Sequence, residues 1–78
     1  KGLGVDADKT LKNHHYKIAA DKGIDWAQCN YGTNLKFGNG VDEDFVSGVD
    51  YIRRAALQGH TLCERRYAYA LRKGQGLD

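Results

Sequence analysis

The chain has 78 residues, 28% of them charged, with a formal net charge of +2 at pH 7. That length allows one domain at most, burying about 60% of its unfolded surface. The charge is too small to announce a phosphate-binding face, which gathers many Lys and Arg on one side. No apolar run approaches the ~20 residues of a membrane span, and no signal-peptide pattern is visible, so neither nucleic acid nor membrane insertion is expected of this segment.

The sequence repeats itself. Shifted by 36 positions, it matches itself at 13 of 42 places, far above the roughly one in sixteen that ordinary composition gives. Ala19-Ala20 and Gly23 return as Ala55-Ala56 and Gly59, and Tyr31 and Leu35 return as Tyr67 and Leu71. A Gly-x-Gly-apolar-Asp signal occurs three times, at Gly2–Asp6, Gly38–Asp42 and Gly74–Asp78. A period of this size is the mark of a stacked repeat array. The chain begins and ends at the same phase of the period and shows no obviously polar capping unit, so it reads as a slice of a longer array, with units over about 1–37 and 38–78.

After the first glycine turn, Asp6 and Asp8 offer acceptors for a helix over about 8–22 that ends at Gly23. A second helix is expected over 25–37, with Asp25 and Gln28 forming a reciprocal capping box. A third, over 44–58, carries Phe45, Val46, Val49, Tyr51, Ile52, Ala55 and Ala56 at helical spacing, a broader apolar face than Leu11, Tyr16 and Ile18 give the first helix. Ala55 and Ala56 are expected where helices cross closely. A fourth helix is expected over 61–73, with Thr61 and Glu64 as its capping box, and Gly38 and Gly74 terminate the second and fourth. No strand signal competes, and helix, turn, helix every 36 residues is an all-α solenoid of two repeats and four helices.

These stretches resemble a family. Tyr16-Lys17-x-Ala19-Ala20-Asp21-Lys22-Gly23, Ala27-Gln28-Cys29-Asn30-Tyr31-Gly32, Gly38-x-Gly40-Val41-x-x-Asp44 and Tyr51-x-Arg53-x-Ala55-Ala56-x-Gln58-Gly59-His60 look like Sel-1-like repeats across the whole chain. The resemblance implies a right-handed superhelix of antiparallel helix pairs, related to tetratricopeptide arrays, acting as a non-enzymatic adaptor between proteins. The chain departs from the family pattern in lacking the proline after the glycine loop, in having Ala68 for a helix glycine, and in carrying Lys12 and Gly48 where Ala is usual. Members with a disulfide in each repeat match poorly, because neither copy holds a pair of cysteines.

Other chemistry is less well supported. The Gly-x-Gly triplets follow no strand and complete no phosphate-loop pattern, so they read as turns. His14, His15, His60, Cys29 and Cys63 have no Cys-x-x-Cys or His-x-x-x-His spacing, and no metal or cofactor is expected. Cys29 corresponds to Arg65 and Cys63 to Ala27, a two-residue offset that turns a helical side chain by roughly 200°. Both are therefore expected as free thiols, with Cys63 packed and Cys29 more exposed. No catalytic set converges at common phases.

The expected function is a protein-interaction scaffold whose helices over 25–37 and 61–73 line the partner-facing surface, as in related solenoids. The alternatives are a helical-repeat nucleic-acid reader or a non-catalytic part of a larger enzyme. A base-reading code needs matching polar positions in successive units, and Asn30 against Arg66, or Thr33 against Tyr69, shows none. If Ala27, Tyr31 and Leu35 mark the buried face of the second helix, then Asn30, Thr33 and Phe37 face outward. The same phases in the next copy are Arg66, Tyr69 and Lys73. Residues 25–44 set Lys36 against Asp25, Asp42, Glu43 and Asp44, whereas 60–78 set Arg65, Arg66, Arg72 and Lys73 against Glu64 and Asp78. The six outward residues are the expected binding set for a protein or peptide partner, an acidic and partly aromatic one, and neighbouring repeats of the same array are expected as further partners of the segment.

Overall fold

A computed structural model describes the backbone of residues 3–74 and the side chains of residues 8–74. Gly2 of the first glycine signal and the part of the last beyond Gly74 lie outside the described residues. Four helices follow one another: α1 (Leu3–Asp21), α2 (Asp25–Phe37), α3 (Phe45–Leu57) and α4 (Thr61–Lys73). Each packs on the next, so the elements form an all-helical solenoid with no strand among the described residues.

The helix ends show which local signals count. Gly38 and Gly74 stand in the left-handed region just after α2 and α4, and their N–H groups return to carbonyls of the last turn. Only glycine enters that region without steric cost, which is why both helices stop there. The starts differ from expectation. No side chain caps α2: Asp25 lies inside the helix and accepts from the N–H of Trp26. Gln28, buried, instead donates to the carbonyl of Ala20 and accepts from the Gln58 amide, while Gln58 also donates to the Gly23 carbonyl. The turn of one repeat is thereby tied to the turn of the next. At α4 the cap is His60, whose Nδ1 accepts from the N–H of Cys63, in place of Thr61 with Glu64. The first helix also starts earlier than its carboxylates suggest, running through Asp6 and Asp8.

Two apolar clusters hold the layers. Ala20, Ala27, Tyr31 and Leu35 form one, with Tyr16, Ala19, Val41 and Tyr51 packed against them. Cys29, Ile52, Ala55 and Cys63 form the other, with Tyr67 at its edge. Ala55 is fully buried and Ala56 only partly so, which narrows the close crossing expected for both to Ala55. Asn13, standing where the second copy has Val49, is also buried; its amide donates to the Asn39 carbonyl and its oxygen accepts from Asn34. A hydrogen-bonded polar contact thus replaces an apolar one between α1 and the glycine loop.

The cysteines overturn the expectation of free thiols. Cys29 and Cys63 form a disulfide with a Cα–Cα distance of 5.8 Å, and Cys29 is 1% exposed. The offset that argued against a bridge explains it. Equivalent positions on the repeat-related helices α2 and α4 point the same way and never face each other. A half-turn difference in phase points one side chain forward and the other back, into the same interhelix space.

Candidate functional site

The face formed by α2 and α4 collects most of the expected binding residues, though not as one exposed strip. Thr33 and Arg66 meet: Arg66 Nη1 donates to Thr33 Oγ1 at 3.2 Å, and that hydroxyl donates to the Cys29 carbonyl at 2.8 Å. Arg66 is therefore half-buried and held in place. Phe37 is 66% exposed and Tyr69 is also exposed, and Lys73 Nζ stands 5.7 Å from the Tyr69 ring centre. Asn30 is exposed on α2, and among the described residues no hydrogen bond or ion pair joins it to the others.

Lys36 was missed by the outward-facing set. It is only 6% exposed, yet its ammonium lies among aromatic rings: 5.4 Å from Phe37, 5.6 Å from Phe45 and 5.6 Å from Tyr69. Such contacts offset part of the cost of removing a cation from water. Burial first, and then the positive charge of Arg66, holds the Lys36 ammonium below the usual lysine range. The sequence places Lys36 on the face of Thr33 and Phe37, at i+3 and i+4 from Thr33, but carries no signal for its burial.

A cavity of about 240 Å³ opens here, lined by Lys36, Phe37, Ile52, Arg65, Arg66 and Tyr69. Three of the six are cationic and none is acidic. Arg66 Nε is buried without a hydrogen-bond partner. A wider, open groove runs between α1 and the glycine loop, past Asn13, Lys17, Tyr31 and Asp42. Two of its polar groups are engaged elsewhere, Lys17 with Asp21 at 2.9 Å and Asn13 with the loop carbonyl. The glycine loop itself packs on α1, since a Cβ on Gly40 would fall 2.6 Å from that of Lys9. Cys29, His60 and Cys63 bring three ligand-type atoms within 4.8 Å of one another. In the disulfide the two sulfurs are not thiolates, and His60 Nδ1 already caps α4.

No family model matches the sequence, and no curated protein matches it. Among solved structures, the crystal structure of a Sel1 repeat protein from Oxalobacter formigenes is similar, with a TM-score of 0.84 and 32% sequence identity. The fold is that of a Sel1-like repeat solenoid. The match covers 88% of this chain and 28% of that protein, so the chain corresponds to just over a quarter of its Sel1 relative. The Sel1-like register also makes α2 and α4 repeat-related helices, and the cationic cavity lies where successive copies adjoin.

Proposed function

We propose that this Sel1-like segment is a non-enzymatic protein-interaction scaffold that captures an acidic, partly aromatic peptide on the face shared by α2 and α4. One observation carries the reading: Lys36, Arg65 and Arg66 surround an apolar-walled cavity with no carboxylate in its lining, beside the exposed rings of Phe37 and Tyr69. Arginine pairs with carboxylates through two parallel bonds, and exposed rings give rigid contact area. Structural duties already taken by the reactive side chains support the non-enzymatic part, since His60 caps a helix and both cysteines are bridged. The bridge also favours work in an oxidising compartment, where disulfides persist. Repeat stacking onto neighbouring units would extend the same face along a longer array.

Fluorescence anisotropy with labelled peptides rich in Asp, Glu and Phe tests the reading at two salt concentrations. Binding is expected at low salt, and Arg66→Glu with Lys73→Glu should weaken it while the helical circular dichroism stays intact. Unchanged affinity in the folded variant would contradict the proposed face, and preferential capture of single-stranded RNA would place the segment among nucleic-acid readers.

A further inference from the structure

We propose that Cys29, His60 and Cys63 form a redox-gated zinc site: the disulfide form takes no metal, and the dithiol form, opened by a thiol reductant, binds Zn²⁺. The site lies in the buried cluster that joins α2, α3 and α4 and does not depend on which face meets a partner.

The three residues converge from two parts of the chain. His60 and Cys63 stand three residues apart across the start of α4, and Cys29 reaches them from α2. Their ligand atoms all lie within 4.8 Å of one another. In a tetrahedral site with Zn–S bonds near 2.3 Å and a Zn–N bond near 2.0 Å, ligand atoms stand roughly 3.5–3.8 Å apart. Once the bridge is opened, side-chain rotation suffices to part the sulfurs to that spacing, because the Cα atoms are 5.8 Å apart. The N–H of Cys63 donates to His60 Nδ1 at 3.4 Å, a long bond, so the imidazole loses little by turning to a metal.

The surroundings favour a soft dication. Cys29 and Cys63 are 1% and 0% exposed and pack with Ile52 and Ala55. Two bare thiolates are costly in such a setting, whereas Zn²⁺ with two thiolates and a neutral imidazole carries no net charge. Thiolate and imidazole suit zinc, and hard cations such as Mg²⁺ and Ca²⁺ call for oxygen ligands instead. His60 is only partly buried, so its side gives solvent access to the metal and to a water in the fourth position.

The gating step balances. One disulfide and two thiols of the reductant give the two cysteine thiols and the reductant's own disulfide, and Zn²⁺ then displaces the two thiol protons. With the bridge intact neither sulfur is a thiolate, and His60 alone cannot hold the ion.

The test uses the whole chain, reduced with a phosphine that is then removed under argon, and titrated with Co²⁺ followed by Zn²⁺. The expected result is a thiolate-to-cobalt charge-transfer band with the visible bands of a tetrahedral ion, saturating at one equivalent and bleached by Zn²⁺. The disulfide form should show neither. Zn²⁺ should also raise the thermal midpoint of the reduced chain and leave that of the disulfide form unchanged. His60→Asn, which keeps a capping oxygen for α4, should weaken cobalt binding by more than the roughly tenfold that loss of an outer-shell partner costs. Cys29→Ala should remove the saturating band. No charge-transfer band in the reduced chain, or unchanged affinity in His60→Asn or Cys29→Ala, would overturn the site. Equal uptake by the disulfide form would overturn the gating. A band without a rise in the midpoint would show cobalt held by unfolded thiols, and it too would overturn a site built by the fold.

Discussion

Gly32 of α2 and Gly48 of α3 touch backbone to backbone: a Cβ on either would lie 2.7 Å from the carbonyl oxygen of the other. The added carbon at Gly48 would also meet the Lys36 N at 2.7 Å, so the obstruction is main chain and cannot swing aside. Lys36, four residues after Gly32, stands with its ammonium 5.6 Å from the Phe45 ring of the facing helix. Alanine in an ordinary helix interior gains about 0.5–1 kcal/mol over glycine. Here overpacking, at about 1–3 kcal/mol, outweighs that gain. Gly48→Ala is therefore expected to lower urea stability, and a neutral or stabilising result would show that the helices are not in contact at this point.

A second prediction concerns the bridge. Cys29 and Cys63 close a loop of sequence separation 34, and a chain-entropy account puts such a cross-link at about 3–4 kcal/mol. Reduction, or Cys29→Ala with Cys63→Ala, should lower the thermal midpoint markedly while the helices persist below it. A midpoint unaffected by reductant would argue that the cysteines are not joined.

The acid limb of unfolding should depend on Asp21. Its carboxylate accepts from Lys17 at 2.9 Å and from the Tyr51 hydroxyl at 2.8 Å, and these hydrogen bonds, Lys17's first, hold it below the usual carboxylate range. A depressed carboxyl contributes stability that is complete above its unfolded value of about 3.9 and is lost as pH falls through the folded value. Tyr51→Phe removes one of the two bonds and the tie between α1 and α3. It should cost about 0.5–1.5 kcal/mol at neutral pH and move the acid midpoint upward. A midpoint that stays put would show that the Tyr51 contact does not act on Asp21.

Ala55 is 0% exposed within the cluster of Cys29, Ile52 and Cys63, so Ala55→Leu should cost about 1–3 kcal/mol by overpacking. Ala56→Leu, at a half-buried position, should cost less. The order of the two midpoints in thermal melts checks the packing phase, and a reversed order would contradict it.

Much of this architecture could be read from the period. Glycine at a left-handed position is a local requirement, so Gly38 and Gly74 marked the ends of α2 and α4 without help from tertiary structure. Capping pairs are weaker signals, because the same side chains can find better partners across the repeat, as Gln28 does with Ala20 and Gln58. The disulfide is not legible from equal phase, because facing requires opposite phases on the neighbouring repeat-related helices α2 and α4. Lys36 escaped for a related reason. A lysine read as surface charge lies beneath rings contributed by α2, α3 and α4, and only the stacking of helices brings Phe37, Phe45 and Tyr69 around one ammonium.

The proposed function turns on which face meets the partner. Photo-crosslinking reads this directly, with p-benzoylphenylalanine placed at Phe37, on the α2–α4 face, or at Leu57, the exposed end of α3. With an acidic aromatic peptide at low salt, the adduct should form from position 37 and fall when Arg66→Glu and Lys73→Glu are added. Adducts formed equally from both positions, or from position 57 alone, would contradict the docking surface.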